Sequence, residues 1–579
     1  MKSEKTIWHK EYENWLNSPV LTEEEWKELD AIRDNEDEIK GRFRGPLEFG
    51  TAGLRGVMGA GLNRMNIHVV RWATQAFAEL IIAEGPDACK RGVAIACDSR
   101  NNSQLFAEEA ACVCAANGIH VRLFESLRPT PELSFAVRQY HCAAGINVTA
   151  SHNPKEYNGY KVYWSDGAQL PPQHAAEVAR RMGEIDIFKG VSAMKLEDAV
   201  QQGLVEYLGA ETDELFLKNV MGQAIAPKYV ADVADSLKIV YTPFHGAGHL
   251  LVPEALRRLG IKHIIPVPEQ MVMDGNFPTV ASPNPENPEG FALAVELARK
   301  EHSELIIGTD PDSDRVGVMA LDSDGEYRTI TGNQMGALLT DYIITARREN
   351  GTLPENAAVL SSIVSTGMTA AICKANNVHF DMTFTGFKFI AEQIGKYEAD
   401  NSYRYILGFE ESYGYMAGDY VRDKDAVTAS MLIAEMAAYY YAKGLTLHGA
   451  IAALYEKYGY FAEKTINLVM SGTDGPDRMA ALMASLRSDP PAELGGRRVM
   501  RVRDYKDGTV SVPGLGPVDR TPISGSNVLY MELEDGTCFI VRPSGTEPKI
   551  KFYILARGEN AQACRQAVED CTKAAETFG

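Results

Sequence analysis

Hydrophobic residues in this chain alternate between short apolar runs and longer stretches with helical spacing. Residues 93–97, 119–124 and 143–148 are short apolar runs of the kind that form buried strands. The stretch from Ser103 to Asn117 has helical spacing and ends at Gly118. Short apolar strands that alternate with helices favour a largely parallel α/β sheet.

The same alternation returns twice, and the C-terminal part then changes character. We predict a second α/β unit, a third α/β unit with two long helices, and a last part with a hairpin around Glu534-Asp535-Gly536. The order of elements in this last part is typical of an α+β domain. The predicted elements are strands 238–241, 264–267, 305–307, 316–321, 358–364, 405–407, 528–533, 537–541 and 550–555, and helices 248–259, 426–441, 447–458 and 561–577.

The first 45 residues combine many charges with aromatic side chains and predict a helical extension packed on the first domain. Thr22 is the expected N-cap of a helix, with Glu25 at the capping-box position. We expect Trp8, Trp15 and Trp26 to anchor this extension, with an oligomer contact as the alternative.

Length and composition indicate a multidomain globular protein. The 579 residues suggest about four domains, and 45% hydrophobic with 23% charged residues is ordinary globular usage. The net charge of -20 disfavours a whole-surface affinity for nucleic acid or anionic lipid.

We find no secretory signal, no apolar run near the ~20 residues of a membrane span, and no CxxC pair among nine cysteines. We therefore expect a cytoplasmic protein with no nucleic-acid or membrane partner.

The most informative segment is Gly308-Thr309-Asp310-Pro311-Asp312-Ser313-Asp314-Arg315, which follows an apolar strand. Aspartates at alternate positions can project to one side of an extended loop. Clustered carboxylates repel one another unless a cation lies between them, and oxygen ligands suit Mg²⁺. A solvated acidic turn or a helix cap is the alternative. The position at a strand end, where α/β sheets bind ligands, favours the metal site.

A second segment, Thr149-Ala150-Ser151-His152-Asn153-Pro154, also follows an apolar run. Asn-Pro imposes an extended or turn conformation that exposes Ser151. Ser151 beside His152 could be a nucleophile with its base, although a capped turn is the alternative and no G-x-S-x-G elbow is present. Lys161 lies ten residues further on and could return across a hairpin as a general acid/base or a phosphate anchor.

Three other segments have suggestive chemistry. Residues 542–549 combine Arg542 with hydroxyls and a glycine, which are the components of a phosphate-binding nest. Residues 408–414 bring carboxylates and a hydroxyl to a strand end, where they suit sugar hydroxyls. Residues 50–56 form a glycine-rich loop that carries Arg55 but does not match a P-loop.

Four motifs in this order, TASHNP, GTDPDSDR, GFEESYG and RPSGTEPK, closely resemble those of the α-D-phosphohexomutases. The resemblance runs from about residue 46 to the C-terminus. It implies α/β architecture with three similar mixed α/β domains around a central cleft and a C-terminal α+β domain. The implied parts are an extension at 1–45, a phosphoserine domain at 46–220, a metal-binding domain at 221–325, a sugar-binding domain at 326–465 and a phosphate-binding domain at 466–579.

The resemblance also implies a role for each motif residue. Ser151 is expected to carry the phosphoryl group, and one of its oxygens joins the aspartates as a Mg²⁺ ligand. His152, Lys161 and Arg55 are expected at the reacting end, with Lys161 as the better acid/base. The expected metal ligands are Ser151, Asp310, Asp312 and Asp314, and the expected substrate-binding residues are Arg315, Thr385, Gly386, Lys388, Glu410, Ser412, Arg542, Ser544, Gly545 and Thr546.

The implied reaction interconverts glucose 1-phosphate and glucose 6-phosphate through phosphoserine and glucose 1,6-bisphosphate. Glu410-Glu411-Ser412 and Thr385-Gly386-Phe387-Lys388 are similar to the glucose-type and phosphopentomutase-like branches of the family. Phosphopentomutase and phosphomannomutase activities are the alternatives, followed by a sugar phosphatase that uses the same serine and by a non-catalytic sugar-phosphate sensor. We expect hexose phosphates as the small-molecule partners and either a monomer or a homodimer.

Overall fold

The computed structural model describes residues 2–50, 53–470, 475–544 and 549–578. The chain divides into two compact units. One contains the residues up to Thr329 together with 414–442, and the other contains 330–413 together with 443–579.

The first unit begins with the helical extension. Thr22 and Glu25 form both hydrogen bonds of the predicted capping box. Trp8 and Trp15 are buried in a cluster shared with the first α/β domain, which confirms their anchoring role. Trp26 is 41% exposed, so its predicted anchoring is wrong; Leu29 is the buried residue of its helix. The extension comprises helices Lys2–Leu16, Glu23–Ala31 and Glu36–Phe43.

The first sheet of this unit is built on fully buried strands. Strands Val93–Cys97 and Ala144–Val148 are apolar along most of their length because helices cover both faces of the sheet. In spatial order the strands are Leu54–Val57, Tyr157–Trp164, Ala144–Val148, Val93–Cys97, Val121–Phe124 and Val205–Leu208. The helices are Ile67–Ala83, Pro86–Arg91, Ser103–Ala116, Thr130–Gln139, Pro172–Met182, Leu196–Gln201 and Ala210–Met221.

A second, mixed sheet follows in the same unit. Strand Leu305–Thr309 is fully buried and pairs in parallel with Lys238–Thr242 and antiparallel with Val316–Leu321. In spatial order the strands are Tyr327–Ile330, Val316–Leu321, Leu305–Thr309, Lys238–Thr242 and His263–Pro266. The helices are Lys228–Val233, Gly248–Leu259 and Ala292–Glu301, with 3₁₀ turns Pro268–Met271 and Pro288–Phe291.

Residues 414–442 also belong to the first unit. They contain the short strand Gly414–Met416 and the almost wholly apolar helix Ala426–Ala442. Glu435 is the buried charge in this helix, and its Oε1 accepts the backbone N–H groups of Ile225 and Ala226 at 3.0 and 2.8 Å.

The second unit combines a parallel sheet with a larger antiparallel one. The parallel strands are His379–Thr383, Ala357–Ser362 and Arg404–Glu410, with helices Gly332–Glu349, Met368–Ala375, Phe387–Asp400 and Leu447–Tyr458. The antiparallel sheet has the spatial order Tyr460–Val469, Lys549–Gly558, Cys538–Pro543, Leu529–Leu533, Arg497–Asp504, Thr509–Val512 and Gly516–Arg520, with Glu493–Leu494 beside Arg497–Asp504. Helices Gly475–Ser488 and Ala561–Glu576 complete this part.

The predicted alternation of strands and helices, and the change to an α+β pattern near the C-terminus, are confirmed. The predicted domain boundaries stay predictions. In the described part of the chain, no helix is both long and apolar enough to cross a bilayer.

Candidate active site

Ser151 lies in the loop that joins strands Ala144–Val148 and Tyr157–Trp164 of the first sheet. Its side chain is buried, and its φ of +52° places the backbone in the left-handed region. That conformation costs a non-glycine residue about 1–2 kcal/mol, so surrounding contacts must stabilise it. One such contact is the hydrogen bond from the Ser151 N–H to Thr149 Oγ1, at 2.8 Å.

The three aspartates follow the buried strand Leu305–Thr309. The prediction that they lie on an extended loop is wrong, because the loop is a turn. The Ser313 N–H donates to the Asp310 carbonyl at 2.9 Å, and Ser313 has a φ of +52°. The turn nevertheless brings the carboxylates together: Asp310, Asp312 and Asp314 are buried, and each offers one oxygen within 4.8 Å of the others.

The serine loop and the aspartate turn meet at a direct contact. Ser151 Oγ donates a hydrogen bond of 2.7 Å to Asp310 Oδ2. Asp310 Oδ1 accepts the backbone N–H groups of Asp314 and Arg315 at 3.1 and 2.9 Å, which fixes the carboxylate. Burial, followed by the charges of Asp312 and Asp314, raises the pKa of Asp310 well above its usual value. A cation among the three would reverse the repulsive part of this shift.

Lys161 returns across the hairpin to these aspartates, as predicted. It lies opposite Asn147 in the strand register, and its Nζ is 2.7 Å from Asp312 Oδ2 and 3.3 Å from Asp314 Oδ2. Burial alone would lower the pKa of Lys161, but Asp312 and Asp314 outweigh it and the pKa is raised. The side chain is therefore an ammonium. Thr130 Oγ1 also donates to Asp312 Oδ2, at 2.7 Å.

Lys424 is a second buried ammonium at the site, and sequence reasoning did not single it out. Its Nζ lies 3.3 Å from Asp314 Oδ2 and 3.0 Å from Asp423 Oδ1. Burial alone would raise the pKa of Asp314, but Lys424, Lys161 and Arg315 lower it. The available signal was a run of charges, residues 422–425, directly before an apolar helix.

The hydrogen bonding of two carboxylate oxygens at the site indicates whether a metal ion would fit there. Asp312 Oδ1 and Asp314 Oδ1 are buried and have no hydrogen-bond partner among the described residues. Unpartnered buried carboxylate oxygens are costly unless a cation binds them. The all-oxygen donor set suits a hard divalent ion. Asp310, Asp312 and Asp314 can therefore hold a metal ion.

Arg55 and His152, predicted at the reacting end, contact the loop that carries Ser151 or lie on it, and Arg315, predicted to bind substrate, follows Asp314. Arg55 Nη1 donates to Asn153 Oδ1 at 3.0 Å, and Arg315 Nη1 pairs with Glu286 Oε1 at 2.8 Å. His152 Nδ1 lies 3.1 Å from Ser151 Oγ. Desolvation, followed by the positive charges of Arg315 and Arg55, lowers the pKa of His152 well below its usual value, so the imidazole is neutral.

In the second unit, Glu410 is the last residue of strand Arg404–Glu410 and Glu411 follows it in a turn. Glu410 Oε1 accepts the Gly386 N–H at 2.6 Å, and Glu411 Oε2 accepts the Ser362 hydroxyl at 3.0 Å. Burial, followed by the charge of Glu410, raises the pKa of Glu411 to about 7. Ser412 follows them in a turn. The structure thus brings Gly386 to the predicted sugar-binding glutamate.

Thr385 and Lys388 flank Gly386 at the start of helix Phe387–Asp400. Thr385 Oγ1 is buried and has no hydrogen-bond partner in the described ranges. Lys388 Nζ lies 4.9 Å from the Phe389 ring centroid, and burial lowers the pKa of Lys388. A hydroxyl and an ammonium are suitable hydrogen-bonding groups for a sugar phosphate.

The predicted phosphate-binding segment begins at the end of strand Cys538–Pro543. Arg542 Nη1 donates to the Tyr553 hydroxyl at 3.4 Å, and the Ser544 N–H donates to the Lys549 carbonyl at 2.8 Å. Gly545 and Thr546 lie outside the described residues. Burial, followed by the charge of Glu411, raises the pKa of Tyr553, while Arg542 lowers it. Tyr553 thus contacts the predicted phosphate-binding Arg542 and is influenced by the charge of Glu411.

Family models match most of the chain. The models of the phosphoglucomutase/phosphomannomutase α/β/α domains I, II and III match residues 46–187, 216–323 and 331–458. The chain belongs to the phosphoglucomutase/phosphomannomutase family. Membership confirms the α-D-phosphohexomutase resemblance, the three α/β domains and the enzyme class: the protein is a phosphohexomutase, an isomerase.

Curated relatives agree with membership of the phosphoglucomutase/phosphomannomutase family, and solved structures have the same fold. A phosphoglucomutase of Staphylococcus epidermidis is 34% identical over 96% of this chain and 98% of its own length. One from Staphylococcus aureus is 36% identical over 91% of this chain and 92% of its own. A putative phosphomannomutase from Thermus thermophilus has the same fold, with a TM-score of 0.67 at 21% identity over 92% of this chain and 99% of its own. Parafusin, a phosphoglucomutase from Paramecium in its open form, gives 0.66 at 17% identity over 92% and 96%.

Proposed function

We propose that this phosphohexomutase interconverts glucose 1-phosphate and glucose 6-phosphate through a phosphoserine at Ser151. The observation that carries the proposal is the 2.7 Å contact between Ser151 Oγ and Asp310 Oδ2, which puts a hydroxyl beside a cluster of metal-binding carboxylates. Relatives named phosphoglucomutase, aligned over more than nine-tenths of the chain, support glucose as the sugar.

Asp310, Asp312 and Asp314, together with an oxygen of phosphorylated Ser151, would hold Mg²⁺. When bound, Mg²⁺ supplies charge neutralisation to the transferring phosphoryl group. The unpartnered oxygens of Asp312 and Asp314 support this assignment.

The chain's own residues provide the proton chemistry. As the phosphoryl group leaves Ser151 for a sugar hydroxyl, the serine oxygen gains a proton and the sugar hydroxyl loses one. Lys161 is the acid/base residue in this proposal: as an ammonium bound to Asp312 it gives a proton to the serine oxygen, and it then takes up the proton released by the sugar hydroxyl. The neutral imidazole of His152 lies beside Ser151 Oγ. Arg55 and Arg315 bind the phosphoryl group that is transferred in this proposal. Covalent transfer through serine avoids releasing phosphate to water.

Residues of the second unit are proposed to bind the sugar and its second phosphate. Glu410, Ser412 and the segment that carries Thr385, Gly386 and Lys388 bind sugar hydroxyls. The phosphate that is not being transferred binds Arg542, Ser544, Gly545 and Thr546. Glucose 1,6-bisphosphate, the intermediate and activator, turns around so that either phosphate can reach Ser151.

This proposal includes the domain roles at 46–220, 221–325, 326–465 and 466–579, and the cytoplasm as the location. The nine cysteines, which all lie in the described ranges as free thiols, support a reducing compartment.

Coupled assays test the proposal. Purified protein with Mg²⁺ and a trace of glucose 1,6-bisphosphate is given glucose, mannose or ribose 1-phosphate, and both isomer formation and inorganic phosphate are measured. We expect glucose 6-phosphate as the preferred product, with little phosphate released. A higher kcat/KM with mannose or ribose 1-phosphate would reassign the sugar, and phosphate as the main product would make the protein a phosphatase.

A further inference from the structure

Arg100 uses its whole guanidinium group on the loop that carries Ser151. Nη1 donates to the carbonyls of Pro154 and Tyr157 at 2.9 and 3.1 Å, and Nη2 donates to those of Ser151 and Asn153. These four bonds engage all four terminal N–H groups of the fork. One planar side chain therefore fixes the main chain from the Ser151 carbonyl to Tyr157.

The remaining edge of the Arg100 guanidinium faces Asp98, and this aspartate extends the network to the serine amide. Arg100 Nε lies 3.3 Å from Asp98 Oδ2, and both side chains are fully buried. Asp98 Oδ2 also accepts the Thr149 hydroxyl at 2.6 Å. Thr149 Oγ1 in turn accepts the Ser151 N–H. The backbone of Ser151 is thus bound at its N–H through Asp98 and at its carbonyl by Arg100.

The neighbouring domain limits the freedom of Arg100. The Arg100 guanidinium carbon lies 5.1 Å from the centroid of the Phe277 ring. A Cβ atom added to Gly275 would lie 2.7 Å from the Arg100 carbonyl carbon, so the two backbones are in close contact. Asn101 also donates to the Asn276 side chain, at 3.1 Å. Arg100 and Asn101 therefore contact residues 275–277 of the domain that carries Asp310.

We propose that Arg100, held by Asp98, is a positioning residue for phosphoryl transfer. It stabilises the left-handed conformation of Ser151 and so keeps Ser151 Oγ at the aspartate cluster. The inference rests on the proposed function of Ser151. Lysine is a poor substitute, because its three tetrahedrally arranged donors cannot serve four carbonyls and a carboxylate. A displacement of about 1 Å at a reacting atom can cost about 100-fold in rate.

The test compares Arg100→Lys, in the loop after strand Val93–Cys97, with Arg122→Lys, a matched change on the neighbouring strand Val121–Phe124, where Arg122 pairs with Glu206. For each variant we measure kcat and KM and follow backbone hydrogen exchange of residues 151–159 and of strand Val93–Cys97. We expect Arg100→Lys to lower kcat 10- to 100-fold (about 100-fold at most), to leave KM nearly unchanged, and to speed exchange only in 151–159. Arg122→Lys should behave like the parent protein.

Thr149→Val provides a second route if Arg100→Lys fails to fold, because it removes the link from Asp98 to the Ser151 N–H. Thr149→Val should also lower kcat while leaving KM nearly unchanged, and it should speed hydrogen exchange only in residues 151–159. Parent-like kcat and loop exchange in either folded variant would overturn the proposal, as would faster exchange that includes strand Val93–Cys97, since that marks a general structural role. If the parent protein has no mutase activity, the proposed function fails, and the exchange arm still decides whether Arg100 holds the loop.

Discussion

Ser151 Oγ donates a 2.7 Å hydrogen bond to Asp310 Oδ2 across a separation of 159 residues. The two side chains come from the ends of strands in different sheets of the first unit. Their contact brings a hydroxyl that could carry phosphate to the carboxylates that could hold a metal ion. The proposed function depends on this pair, and the other site residues extend it.

Changing Asp312 should separate metal binding from folding. Asp312→Asn retains an acceptor for Thr130 and nearly the same volume, but it removes one charge from the cluster. We expect Mg²⁺ affinity, measured by titration calorimetry, to fall and Mg²⁺-dependent turnover to be lost, while the melting temperature changes little. Asp324→Asn at an exposed surface turn is the control. Unchanged Mg²⁺ affinity in Asp312→Asn would remove Asp312 from the ligand set.

Mg²⁺ binding should release protons. The pKa of Asp310 is raised in the metal-free site, chiefly by burial and then by Asp312 and Asp314. A metal ligand must be deprotonated, so protons compete with the ion for Asp310, and its raised pKa shifts this competition to higher pH. Affinity should therefore decrease as pH falls. Calorimetry in buffers of different ionisation enthalpy measures the released protons, and binding that is independent of both buffer and pH would contradict this expectation.

Glu411 should make the protein less stable as pH rises. Its pKa is raised from 4.5 to about 7 by burial and by Glu410. Below both values the group is protonated whether the chain is folded or not. Between the two pKa values Glu411 is deprotonated in the unfolded chain but still protonated in the folded one. The free energy of unfolding therefore falls by about 1.4 kcal/mol for each pH unit in this range. That contribution is gone once pH has passed through the folded pKa.

Glu411→Gln tests this effect because the amide does not titrate. The melting temperature of the variant minus that of the parent should increase between pH 5 and pH 8. Glu355→Gln, at an exposed position in the same unit, is the control. An equal difference at every pH would show that Glu411 titrates normally.

Removing Arg542 should weaken substrate binding. In the proposal Arg542 binds the phosphate that is not being transferred, and its fork geometry suits a phosphate. Arg542→Ala should raise KM for glucose 1-phosphate by at least about tenfold, since a charged hydrogen bond contributes roughly 1.5–3 kcal/mol. Arg557→Ala, an exposed arginine on the neighbouring strand, should have parent-like kinetics. A normal KM in Arg542→Ala would remove Arg542 from the phosphate site.

Sequence reasoning found the serine and aspartate loops because their composition is unusual and each directly follows an apolar strand. It placed Lys161 correctly since a short hairpin fixes which residues lie opposite. It was wrong about the shape of the aspartate loop, where Pro311 and the left-handed Ser313 bend the chain into a turn. A local pattern shows which side chains are chemically competent but not how a loop bends.

Residues that act through distant contacts were not found. Arg100 binds backbone carbonyls, which any sequence supplies, so no motif marks it. Lys424 lies on residues 414–442, which pack with the first unit although residues on either side belong to the second. Trp8, Trp15 and Trp26 all lie in the same charged extension, and nothing in the sequence distinguishes them. Only tertiary packing decides which of the three is buried.

The most direct test of the account is to locate the transferred phosphoryl group. The protein is incubated with glucose 1,6-bisphosphate labelled in its phosphates, and the modified peptide is mapped by mass spectrometry in the parent, in Ser151→Ala and in Ser236→Ala, an exposed serine of the same unit. We predict label on Ser151 in the parent and in Ser236→Ala, chase of that label into glucose monophosphate, and neither label nor turnover in Ser151→Ala. Mutase activity at the parent rate in Ser151→Ala, or label on another residue, would contradict the account.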